Sequence, residues 1–134
     1  MIEDFKVAMV DRFRNDPSMA SLRTALLGGF WEQPAPPQTP FPFATYLFVD
    51  AASSWTLGPG PVLEEFRMQF DIWTNSKSGV DASRIFKLWI TAWDNVKFVV
   101  PGYNLFRFQR MRQLPTRDDQ TYYCGIMSEY LVQM

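Results

Sequence analysis

Between residues 62 and 74 the chain changes polarity at every step. Phe66, Met68, Phe70 and Ile72 alternate with Glu65, Arg67, Gln69 and Asp71. Successive side chains of a strand point to opposite faces, so this pattern predicts a strand with one face on a core and the other polar. The period then changes. Over 80–94, Ala82, Ile85, Phe86, Trp89, Ala92 and Trp93 fall on one side of a helix, and Arg84, Lys87, Thr91 and Asp94 lie off it. A helix of that kind has its apolar stripe against a sheet. Residues 75–79 turn the chain between the two elements, with Ser78 as cap and Asp81 as the acidic arm of a capping box.

The remaining segments extend this pattern in both directions. Ile2, Phe5, Met9 and Phe13 have helical spacing and predict a first helix over 2–13. Asp16 before Pro17 reads as an N-cap opening a second short helix that runs to Leu26 or Leu27, with Gly28-Gly29 as its stop. Pro34, Pro36, Pro37, Pro40 and Pro42 remove ladder donors, so 30–43 reads as an extended connector or irregular edge. Residues 43–49 read as a strand, 50–61 as a loop, and 96–114 as a short piece and a strand from Tyr103, divided at Pro101-Gly102. A connection over 115–120 leads to a last strand over 121–132. The order α-α-β-β-α-β-β predicts an α+β fold, an antiparallel-rich mixed sheet with N-terminal helices and one central helix packed on it. At 134 residues the chain reads as a single domain, 1–134, able to bury roughly two-thirds of its surface.

Composition narrows the chemistry. The chain has 12 Phe, 5 Trp, 5 Tyr and 7 Met but no histidine, which removes Ser-His-Asp and Cys-His nucleophile systems, imidazole metal sites and histidine pH switching. Cys124 is the one cysteine, so no internal disulfide or zinc-ligand set is expected, and the chain suits a reducing cytosol. A net charge of −1 argues against bulk electrostatic capture of nucleic acid or acidic membrane. The start has no basic segment before an apolar run, and no uncharged apolar stretch approaches the ~20 residues of a membrane span, so neither a secretory signal nor a membrane partner is expected.

Few residues remain for a site. Glu64 and Glu65 are adjacent in a strand and point apart, so they do not converge on one substrate atom. Asp118-Asp119 reads as an acidic turn, Gly58-Pro59-Gly60-Pro61 as a rigid turn without the lysine of a phosphate loop, Cys124 as a structural thiol, and Trp89 with Trp93 as core. No catalytic, cofactor-binding or metal-ligating residue is predicted, and the chain does not read as an enzyme. Two features stand out. Trp55 and Leu57 sit in a loop where such side chains either fold back over the sheet or anchor a partner. From Lys97 to Arg117 there are five cations and no acid. In a regular strand Arg110 and Arg112 share a face with Phe106 and Phe108, and Arg107 points oppositely. That face is read as solvated or inter-subunit, with single-stranded nucleic acid as the competing ligand.

The helix, the Pro-rich connector into Phe43-Ala44-Thr45-Tyr46-Leu47-Phe48-Val49, the strand and turn Phe66-Arg67-Met68-Gln69-Phe70-Asp71-Ile72-Trp73-Thr74-Asn75-Ser76, and the helix over 79–94 with two closing strands cover most of the chain. This arrangement resembles the tail-terminator, or tail-completion, proteins of long-tailed bacteriophages, the group that includes minor tail protein U-like chains. The resemblance implies a structural virion protein: a hexameric ring that caps the tail tube, ends its polymerisation and offers a surface to the head connector. It implies a homo-oligomer partnered by tail tube protein and head–tail connector, made and assembled in the host cytoplasm, with DNA only passing through the lumen. No catalytic residues transfer with it. In this setting Trp55, Leu57 and Pro59 are the candidate partner-contact loop, and Arg107, Arg110, Arg112 and Arg117 are candidate inter-subunit or ring-surface charges. Trp31 joins Trp55 and Leu57 as apolar material that one core has trouble absorbing. The alternatives are another neck or head-closure protein, and a monomeric α+β domain with an apolar ligand pocket.

Overall fold

The computed structural model describes residues 2–54, 63–118 and 123–134. Helix α1 (Ile2–Asn15) buries Phe5, Ala8, Met9 and Phe13, the face expected from their spacing. The chain leaves it at Asp16, whose side chain accepts the Ser18 N–H at 2.8 Å with Pro17 at the first position of a 3-10 turn (Pro17–Met19). Arg12 closes the same corner with an ion pair to Asp16 at 2.9 Å. Helix α2 (Ala20–Ala25) then runs to the glycines, where Gly29 takes φ +88°, a conformation that a side chain would strain.

Strand β1 (Phe30–Glu32) was not foreseen. The prolines begin only at Pro34, so the donors ahead of them remain available. Ala44 N–H donates to the Gly29 carbonyl and Gln33 N–H to the Tyr46 carbonyl, which lays β1 parallel to β2 (Phe43–Ser54). Strand β3 (Leu63–Thr74) is antiparallel to β2. Helix α3 (Val80–Trp93) buries Ala82, Ile85, Phe86, Trp89, Ala92 and Trp93, all six of the residues assigned to its inner side. Its N-cap is Gly79 rather than Ser78. The Ser78 hydroxyl accepts the Val80 N–H at 3.3 Å, and Asp81 pairs with Arg84 instead of reaching back as a capping-box acid.

Strand β4 (Arg107–Asp118) starts later than the expected Tyr103 and includes Pro115, which was assigned to a connection. Tyr103 is occupied in a tight turn: its N–H donates to the Val100 carbonyl at 3.0 Å, across Pro101 and Gly102. Pro115 is tolerated because β4 is an edge strand, where a missing donor interrupts no second ladder. Strand β5 (Tyr123–Gln133) completes a five-stranded sheet of order β1-β2-β3-β5-β4, parallel at β1–β2 and antiparallel elsewhere. This is the expected mixed, antiparallel-rich α+β architecture with one strand added.

The helices share one face of the sheet, the face carrying Phe66, Met68, Phe70 and Ile72. Phe30 lies within 4.9–6.4 Å, centroid to centroid, of Phe13, Tyr46, Phe70, Trp89 and Trp93. Phe108 stacks on Tyr130 at 4.7 Å and meets Phe5, Phe70 and Trp93. These rings fill the space between sheet and helices that a ligand-binding domain would keep as a pocket. Phe108→Ala removes a fully buried ring from this layer and is expected to lower stability by about 3–5 kcal/mol. Urea unfolding checks it, as a lower midpoint with unchanged slope.

Candidate assembly surface

Among the described residues no helix covers the other face of the sheet. Register places its side chains in rows that cross the strands. One row runs Trp31, Thr45, Asp71, Met127 and Leu114, from β1 to β4. The next runs Leu47, Gln69, Glu129 and Arg112. The face is therefore neither a solvated polar surface nor a second core. Leu47, Trp73, Met127 and Leu131 are only partly buried, and Trp31 and Leu114 are exposed.

A chain of charges crosses these rows. Arg67 donates to both carboxylate oxygens of Asp50, from Nε at 2.8 Å and from Nη2, and its Nη1 reaches Glu129 Oε1 at 3.2 Å. Arg112 Nη2 reaches the other oxygen of Glu129 at 3.2 Å. Glu129, with its side chain 7% exposed, is held between two guanidiniums. The hydrogen bond from Arg67 keeps the Asp50 carboxyl below its ordinary value. Asp71 differs: it is buried, receives Gln69 Nε2 at 3.0 Å and lies opposite Thr45, whose buried Oγ1 has no hydrogen-bond partner among the described residues. Burial raises the Asp71 carboxyl above its ordinary value, against the lowering effect of the Gln69 bond.

The arginines separate in a way the strand pattern did not show. The ladder passes from Arg110↔Tyr130 to Arg112↔Glu129, so Met111 is an extra residue in β4. A bulge of this kind changes the parity of every later side chain. Arg110, ahead of the bulge, stays on the helix side with Phe108, pairs with Asp94 at 3.0 Å and lies 5.5 Å over the Phe86 ring, and the Tyr130 hydroxyl donates to the same Asp94. Arg112 faces the uncovered side, as Arg107 does opposite Gln133. The expectation that Arg110 and Arg112 share a face with Phe106 and Phe108 holds for Arg110 with Phe108 and is corrected for Arg112, which the bulge moves to the other side. Phe108 is core, and Phe106 precedes the strand and is 58% exposed. These residues form no aromatic platform for stacking bases.

Arg117 lies in β4 near its end, where the chain's side chains fall outside the described residues, as do Trp55, Leu57 and Pro59 and the Asp118-Asp119 pair. Cys124 is buried with Sγ 3.2 Å from the Lys77 carbonyl, the structural position expected of it. Glu65 accepts a bond from Gln133 at 2.7 Å on the uncovered face.

A family model described as tail completion protein gp17 matches residues 7–130. The chain belongs to the tail completion gp17 family. It is a structural component of a virion tail. A chain in a solved structure described as the virion of a native gene transfer agent particle is similar in fold, with TM-score 0.74 at 15% identity, over 95% of this chain and 91% of that one. Among curated proteins no match is found.

In the tail completion protein the charge ladder was the feature that sequence reasoning missed. Arg67 and Asp71 were visible as polar positions of an alternating strand, but Asp50 and Glu129 come from strands whose register the sequence does not display. Two outcomes test the surface. Glu129→Ala leaves two guanidiniums facing each other and is expected to cost about 2 kcal/mol. Arg112→Ala, at a side chain 60% exposed, is expected to cost under about 1 kcal/mol in the same urea series. For Asp71 the folded chain holds its proton more tightly than the unfolded chain. Stability therefore falls as pH rises from the ordinary carboxylate range to the raised value and is level above it. Asp71→Asn is expected to remove that fall. Its thermal midpoint should gain on wild type as pH rises through the ordinary carboxylate range up to the raised value, then run parallel.

Proposed function

We propose that the protein closes into a hexameric ring that caps the tail tube, stops its polymerisation and joins the tail to the head connector. The observation that carries this reading is the one-sided sheet. Helices and aromatic rings occupy one face, and the other presents apolar side chains interleaved with charge, the mixture typical of protein interfaces. Family membership supplies the tail-completion role.

The ends of the sheet suit a joint between two bodies. Strands β2 and β3 pair out to Ser54 opposite Leu63, and β4 and β5 pair out to Asp118 opposite Tyr123. Glu65 and Arg107 both pair with Gln133, whereas Thr74 and Arg117 both pair with Cys124. Ser54 and Leu63 therefore end their strands at the opposite end of the sheet from Asp118 and Tyr123. We assign the connection 55–62, with Trp55, Leu57 and Pro59, to contact with the tail tube or connector, and Arg107, Arg112 and Arg117 to inter-subunit or ring surfaces. Arg110 is committed to Asp94 within its own chain and is the weakest of the four for that role. The ring is assembled in the host cytoplasm, DNA passes through its lumen, and the protein has no catalytic role.

The test is to assemble particles with and without the protein. Without it, tubes are expected to overgrow and remain unjoined to heads. The double variant Trp55→Ala/Leu57→Ala is expected to keep the wild-type circular dichroism spectrum and to lose joining. Normal tube length with normal joining in its presence, seen by negative-stain imaging, sinks the loop assignment but leaves the cap.

A further inference from the structure

The two edges of the sheet carry opposite charge. Strand β4, at one edge, has four arginines in its sequence, of which Arg110 is paired with Asp94 and Arg112 with Glu129, leaving Arg107 as the uncompensated described charge. The Arg107 side chain is exposed and has no ion-pair or hydrogen-bond partner among the described residues. At the other edge α1 is tied to β1 by Lys6, which reaches Glu3 at 3.2 Å and Glu32 at 2.9 Å. Between them is an open groove of about 360 Å³ lined by Glu3, Asp11 and Glu32 together with Lys6 and Arg14. Glu3 and Glu32 keep side-chain exposures of 82% and 53% while sharing the one lysine.

Both edges also expose apolar side chains. Phe106, Met111 and Leu114 do so along β4, and Leu27 and Trp31 beside β1. An unpaired strand of this length invites another chain to add to it, but β4 carries the features that prevent indiscriminate pairing: a bulge at Met111, Pro115 and a row of arginines. The Phe108 carbonyl on this strand already accepts the Asn95 N–H. A two-fold contact of β4 with β4 would set arginines against arginines, and a two-fold contact of the acidic edges would do the same with carboxylates. Only contact between unlike edges satisfies both, and unlike contacts propagate from copy to copy until they close a ring.

The geometry points to a heterologous junction in which the basic β4 edge of one copy, led by Arg107, docks against the acidic α1–β1 groove of the next copy, formed by Glu3, Asp11 and Glu32. This rests on the ring reading above. The occupant of each edge is a second copy of this chain, and the opposite placement of the edges across one sheet lets each copy use both at once.

The experiment uses particles assembled with variant protein. Arg107→Glu and Glu32→Arg are each expected to lower tail joining about tenfold, and the two together in one chain to recover to within about threefold of wild type. Thermal midpoints near wild type certify the folded state of each. As a measurement independent of charge tolerance, the double variant Glu32→Cys/Arg107→Cys is expected to give, on mild oxidation, a disulfide ladder ending at the closed ring. Neither single cysteine variant should give dimers. Dimers from Arg107→Cys alone, or imaged rings that neither cross-link nor respond to the charge reversals, overturn the junction and leave the ring intact. Absence of any ring at the tube end in wild-type particles overturns the ring reading, and the junction with it.

Discussion

A layer of aromatic rings joins the helices to one face of the sheet, with Phe30 at the crossing of α1, α3, β2 and β3 and Phe108 at the crossing of α1, α3 and β5. Large rings bury much area per residue, and their edge-to-face contacts fix the layers against each other. The consequence reaches beyond the core. Once the apolar sides of α1, α2 and α3 are all used on one face, the described chain has no helix left for the other. That face must be stable in a monomer and still useful to a neighbour.

It meets both needs by mixing. Glu129 is buried between Arg67 and Arg112, so a carboxylate that would be costly alone is offset by two guanidiniums, and the row continues through Arg67 to Asp50. The bulges decide which groups take part. One at Val49, between Phe48 and Asp50, brings Asp50 opposite Arg67. The other at Met111 brings Arg112 opposite Glu129 and leaves Arg110 to hold the end of α3 through Asp94. Each extra residue swaps the faces of all that follow. Two insertions thus build the ladder, and the arginine face imagined for a regular strand does not exist.

How much was legible depends on the element. The β3 alternation and the α3 stripe were read directly because each is long, periodic and free of interruption, so local pattern and tertiary burial agree. Asp16 with Pro17 marked the helix start for an equally local reason. Strand β1 was missed because three residues are too short to show a period and five prolines follow closely. Its existence depends on β2 lying alongside to receive its hydrogen bonds. Pro115 was misplaced because proline signals a break in isolation, whereas at an edge it removes a donor that faces no partner. For the site, the arginines were visible as a run, but their partners Asp94 and Glu129 are separated from them in sequence and were not.

The sequence by itself determined the buried faces of α1, β3 and α3 and most of the elements, because burial in a strand or helix follows periods of 2 and 3.6 that can be counted along the chain. It also determined the absence of imidazole chemistry, since a residue type that does not occur cannot act. Only the tertiary structure decided that the described helices share one face, that the charges of the other face join into a ladder, and that Arg107 and Glu32 stand at opposite edges of the sheet. Those properties depend on register, bulges and strand order, which arise from pairing between distant segments. Two sequences with the same periodic pattern can differ by one inserted residue and present different faces.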